Sequence, residues 1–88
     1  MSKTAKSVWN NCLSFIEDNI TSQAYKTWFE PINAVKLTDN SLSIQVPSKF
    51  FYEWLEEHYV KLLKVALTKE LGKDAKLVYV IRMENTYG

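Results

Sequence analysis

Between Pro47 and Gly72 the chain carries no proline and no glycine, and this stretch constrains the fold more than any other. A helix cannot extend backwards through Pro47, and Ser48 behind it is a good N-cap. Phe51, Trp54, Leu55, His58, Leu62, Val65 and Ala66 then recur at the i, i+3, i+4, i+7 spacing of a helix face that packs against something. Phe50, Tyr59, Leu63 and Leu67 widen that face. Glu53, Glu56 and Glu57 lie toward the front and Lys61, Lys64 and Lys69 toward the rear, an order that suits the helix dipole. Glu57 and Lys61 form a well-oriented i, i+4 pair. At about 1.5 Å per residue, about 22 residues make a rod of about 33 Å, the width of a small domain. Everything else must pack on this rod.

Ahead of it, residues 1–6, with Lys3 and Lys6, read as a frayed polar start, and Thr4 or Ser7 can cap a first helix running to about Asn19. Trp9, Leu13, Ile16 and Ile20 share one stripe, flanked by Val8, Cys12 and Phe15. Glu17 and Asp18 oppose the dipole in the last turn. After a two-residue gap, Thr21 or Ser22 caps a short second helix that ends at Glu30, because Pro31 pushes its predecessor out of the α region. Tyr25, Trp28 and Phe29 are its candidate buried residues; Gln23, Ala24, Lys26 and Thr27 are left nearer solvent.

From Ile32 the period becomes two. Ile32, Ala34 and Lys36 alternate with Val35 and Leu37, Thr38-Asp39-Asn40-Ser41 supplies turn chemistry, and Leu42, Ile44 and Val46 alternate with Ser43 and Gln45. This is an antiparallel hairpin with one wet face. Gly72 closes the rod as its C′ residue. Residues 76–83 form a third strand, with Leu77, Tyr79, Ile81 and Met83 on one face and Val78, Val80 and Arg82 on the other. Both faces are apolar enough for a central strand or one partly covered on each side. Glu84–Gly88 reads as the start of a linker or a cut end. The expected order is α-α-β-β-α-β over residues 1–83: one α+β domain with a three-stranded sheet packed with helices.

The side chains offer little for catalysis. His58 is the single histidine and has no second base or nucleophile at useful spacing. Cys12, the lone cysteine, sits among apolar neighbours and excludes an internal disulfide. No metal-ligand spacing and no phosphate-cradling glycine loop is present, so neither a cofactor, a metal nor enzymatic activity is expected. With a formal charge of +1, the chain lacks the footprint of a strong nucleic-acid binder. A three-stranded sheet with helices resembles a KH module in outline, yet the GXXG clamp is missing. Lys49-Phe50-Phe51-Tyr52 could stack a base, leaving weak single-stranded nucleic-acid binding as an alternative function. No signal peptide or membrane-length apolar run is seen, so a cytoplasmic protein without membrane contact is expected.

Three blocks carry a family resemblance: Trp9-Asn10-Asn11-Cys12-Leu13, Tyr25-Lys26-Thr27-Trp28-Phe29-Glu30-Pro31-Ile32, and Val46-Pro47-Ser48-Lys49-Phe50 followed by Trp54-Leu55 and Tyr59. In order and spacing they resemble the N-terminal domain of the DnaA family of bacterial chromosomal replication initiators, from about Ser7 to Met83. The resemblance implies a KH-like fold without a working RNA clamp. It also implies a docking hub that self-associates, helps to recruit the replicative helicase DnaB at the opened origin, and receives species-specific regulators.

Under that resemblance Trp9 matches a tryptophan implicated in self-association, whereas its stripe alone places it in the core, and a Trp with one exposed face meets both readings. Phe50 matches an aromatic used for helicase contact, and Ser48 a regulator-contacting polar residue as well as an N-cap. Ala24 departs from the family, which often carries a helicase-contacting Glu there. The implied partner surface is Gln23, Ala24, Lys26 and Thr27 with Ser48, Lys49 and Phe50, plus a self-association patch at Trp9. Trp28 and Pro31 read as fold determinants.

Overall fold

The computed structural model describes residues 4–81, and there the chain opens on a reciprocal cap. The Ser7 amide donates to Thr4 Oγ1 and the Thr4 amide to Ser7 Oγ, each at 3.1 Å, so both candidate caps act together. Helix α1 (Ala5–Glu17) follows, with Lys6 inside its first turn and not in a frayed start. Residues 18–21 separate it from α2 (Ser22–Trp28), a gap twice as long as expected. Thr21 Oγ1 caps α2 by accepting from the Ala24 amide at 3.1 Å. Helix α2 ends two residues before Glu30, because the amides of Phe29 and Glu30 both turn to the Tyr25 carbonyl, at 2.9 and 3.1 Å. The expectations on residues 1–3, on Arg82 and Met83, and on a linker over 84–88 lie outside the described residues.

Strands β1 (Asn33–Thr38) and β2 (Ser41–Val46) pair antiparallel around Asp39, whose φ of 51° sits in the left-handed region that Asp tolerates. In β1 the register shifts between Ala34 and Lys36, so Val35 is bulged outward and the inward residues are Ala34 and Leu37, three apart. The bulge is why simple alternation fails there. In β2, Leu42, Ile44 and Val46 alternate inward without exception, and all are fully buried.

The long rod is real but not uniform. It comprises α3 (Lys49–Trp54), a π-helical turn (Leu55–Tyr59) and α4 (Val60–Leu71), and ends at Gly72, whose φ of 93° only glycine adopts cheaply. A π-turn inserts one residue, which rotates all that follows by about 100°. The fully buried residues after it are Leu63, Ala66 and Leu67, all on the widened face that the sequence leads one to expect, whereas Leu62 of its central stripe is half-buried. Val65 is exposed, and so is His58, inside the π-turn and not on the apolar side. The same insertion removes the i, i+4 geometry from Glu57 and Lys61, and no ion pair joins them among the described residues.

β3 (Lys76–Ile81) returns parallel to β2, giving the sheet order β1-β2-β3. It is thus an edge strand, not a central one, and its outward Val78 and Val80 stay open to solvent. The Lys76 amide donates to the Asn40 carbonyl at 2.8 Å, tying the start of β3 to the hairpin turn. Helices α1, α3 and α4 lie against the sheet. Val8, Cys12 and Ile16 of α1, the residues of β2, and Leu55 and Leu63 of the rod share one core, sealed by Phe29 and Ile32. The α-α-β-β-α-β order stands, with helices and a mixed three-stranded sheet.

Candidate interaction surface

Helix α2 reaches the rod through adjacent aromatics with opposite duties. Phe29 is wholly buried, edge-on to Tyr59 at 5.2 Å, and anchors the end of α2. Its neighbour Trp28 is consequently turned toward α3, where it stacks on Trp54 with ring centroids 4.7 Å apart and planes within 10°. Phe51 meets Trp28 edge-on at 5.0 Å, and Phe50 leans on Trp28 at 5.8 Å and on Trp54 at 6.2 Å. The exposed His58 ring covers the other end of Trp54 at 4.1 Å.

Ser48 starts α3 by accepting from the Phe51 amide at 3.4 Å, which fixes the direction in which the first turn presents its side chains. Phe50 emerges from that turn 59% exposed, the most exposed of the large apolar residues described. Lys49 beside it is exposed and Ser48 half-buried. On α2, Gln23, Lys26 and Thr27 face solvent; Ala24 is half-buried, one turn before Trp28 and on its side of the helix. The Trp28–Phe50 contact therefore joins the two expected partner-binding segments into one surface.

Trp9 does not belong to that surface. It is 3% exposed, in the core with Val8 and Cys12, and shows no open face. Its indole N–H meets no acceptor among the described residues, nor does that of Trp54. Such a buried donor costs about 1–3 kcal/mol. Trp28, Trp54 and His58 were missed by reasoning from sequence as parts of a surface. The i, i+4 relation of Trp54 to His58 was the available signal, but the π-turn that exposes it was not.

Burial pushes the Cys12 thiol up to about 12, with the Glu70 carboxylate adding to the effect, so the thiolate is suppressed. Burial, and then Glu17 and Glu30, raise the Tyr25 hydroxyl above its ordinary value. Tyr79 is raised by burial and by donating to Glu56 Oε2 at 2.9 Å. Among the described residues no group of three or more His, Cys, Asp or Glu side chains could hold a metal ion, and no helix is long and apolar enough to cross a membrane. What the surface offers is aromatic area with lysines at its edge. That chemistry suits contact with a macromolecule.

The sequence model of the DnaA N-terminal domain matches residues 6–69. The chain is 83% identical over 88 residues to a chromosomal replication initiator protein DnaA of Flavobacterium psychrophilum, covering 100% of this chain and 18% of that protein. It is 45% identical over 84 residues to DnaA of Chlorobaculum tepidum (96% of this chain, 17% of the relative). With DnaA of Bacteroides fragilis the identity is 46% over 81 residues (92% and 17%). The chain thus spans less than a fifth of the length of these relatives.

Proposed function

The chain belongs to the DnaA N-terminal domain family, and from that premise we propose that it is a protein-docking domain of a chromosomal replication initiator. In this reading residues 1–83 form one interaction unit that recruits the replicative helicase DnaB and regulators at the origin, in the cytoplasm. The observation that carries it is Phe50, 59% exposed yet held in place by Trp28 and Trp54. An aromatic kept rigid and solvent-facing loses little entropy on binding, which is the property of an interface anchor. Gln23, Ala24, Lys26, Thr27, Ser48 and Lys49 frame it. Because Ala24 brings no carboxylate, the contact relies on apolar area and on the lysines.

Self-association is proposed through α1, with Trp9 acting from inside by seating the helix. Sedimentation across a range of concentrations tests this part: a chain that stays monomeric throughout rejects it. For the helicase contact, Phe50→Ala should weaken DnaB binding by about tenfold or more, the scale of an interface anchor. Unchanged affinity would remove Phe50 from the contact. The exposed Lys49 beside Phe50 also favours a second reading, weak binding of single-stranded DNA. Absence of binding to an oligodeoxythymidine at low salt would eliminate it.

A further inference from the structure

We propose that the free edge of β3, with the groove between it and α4, takes up an extended acidic peptide as a fourth strand. This goes beyond the docking surface around Phe50 and uses none of its residues. The groove holds about 560 Å³ and is lined by the consecutive residues Ala75–Tyr79 together with residues of α4. Consecutive residues point to alternate faces of a strand, so a groove that touches all of them follows the strand's edge.

That edge is built to pair. Among the described residues β3 is hydrogen-bonded on one side to β2 alone, so alternate residues turn an N–H and a C=O away from the sheet. Leu77–Ile81 has no charge, proline or bulge to discourage pairing, whereas the opposite edge, β1, is bulged at Val35 and carries Lys36. Three lysines, Lys64, Lys73 and Lys76, line the groove against one carboxylate, Glu56, which already accepts the Tyr79 hydroxyl. None of the three has an ion-pair partner among the described residues. An acidic strand would supply both the missing backbone pairing and the missing counter-charge.

Other occupants fit less well. A second β3 brings no carboxylate in Lys76–Ile81 to meet the lysines. A single-stranded nucleic acid would want an open aromatic face, and the half-buried Tyr79 ring is held edge-on to Tyr52 at 4.9 Å.

The test uses the whole chain and an end-blocked hexapeptide of alternating glutamate and valine, followed by amide NMR shifts and hydrogen exchange. The peptide should shift the amides of Leu77–Ile81 and slow exchange in β3, while a lysine–valine counterpart should not. The triple variant Lys64→Glu/Lys73→Glu/Lys76→Glu should bind about tenfold more weakly at low salt, from three lost exposed charge pairs. Phe50→Ala should bind the peptide as the unaltered chain does, which separates this site from the docking surface. The proposal is overturned by unaffected β3 amides, by equal binding of the lysine peptide, or by an oligodeoxythymidine that takes the same amides more tightly. Full protection of the outward β3 amides in the free chain would also overturn it, because the edge would already be filled.

Discussion

The rod has two halves that use their side chains in opposite ways. Ahead of the π-turn, α3 has Phe50, Phe51 and Trp54, none of them fully buried, and they gather with Trp28 at a surface. Behind it, α4 has Leu63, Ala66 and Leu67 buried, and the helix packs along α1. Asn11 Nδ2 donates to Glu70 Oε1 at 2.9 Å across that contact, and the Lys69 ammonium sits 5.3 Å from the Phe15 ring centre. The single inserted residue lets one continuous helix meet two requirements, an aromatic rim at the front and an aliphatic core at the rear. Aromatic residues thus mark the working end of this molecule, while aliphatic ones hold it together.

Breaking the rear half should cost most. Deleting Lys64 would rotate Ala66 and Leu67 out of the core by about 100°, with a loss of more than about 5 kcal/mol, or no folded protein at all. Leu63→Ala should cost about 2–5 kcal/mol and Val65→Ala, 49% exposed, under about 0.5 kcal/mol, by chemical denaturation. Reversal of that pair would place the central stripe, not the widened face, in the core.

A gentler probe is pH. The Cys12 thiol ionises near 9.0 when unfolded and near 12 when folded, so its burial stabilises the fold fully below about pH 9. As pH rises from 9 toward 12 the unfolded state gives up the proton first, and stability should fall by at most about 1.4 kcal/mol per pH unit. Tyr79, also raised, adds a loss of the same sign at higher pH. Cys12→Ala should flatten the first part of the profile. An unchanged slope would mean that Cys12 is not sealed between α1 and α4.

Most of the fold was legible from local chemistry. Thr4, Thr21 and Ser48 cap where capping residues should, β2 alternates cleanly, and Gly72 stops the rod. Two of the misses share one cause, an inserted residue. In β1 the bulge at Val35 and in the rod the π-turn each break a period that simple counting assumes constant. An insertion leaves no mark in residue type, because its stabilisation comes from contacts distant in sequence. The edge position of β3 was hidden for a related reason: Val78 and Val80 look like core residues, and strand order depends on the crossover. At the surface, Phe50 was legible as an aromatic in a first turn, while its support by Trp28 required tertiary structure.

A small effect tests the origin of the two halves most directly. If the π-turn is one residue inserted into a regular helix, deleting an exposed residue within it should restore α-helical spacing without moving either flank. Glu57 is such a residue. Its deletion should leave Leu55 and Leu63 inward and Phe50 outward, and change stability by less than about 1 kcal/mol, since a π-turn has poorer hydrogen-bond geometry than the α-turn replacing it. Val65 should remain solvent-accessible, which a cysteine placed there would report by rapid thiol labelling. A loss as large as that expected for the Lys64 deletion would mean that the π-turn is required by the packing around Leu55 and Tyr59. The difference between the halves would then depend on those contacts, and the insertion would be their consequence.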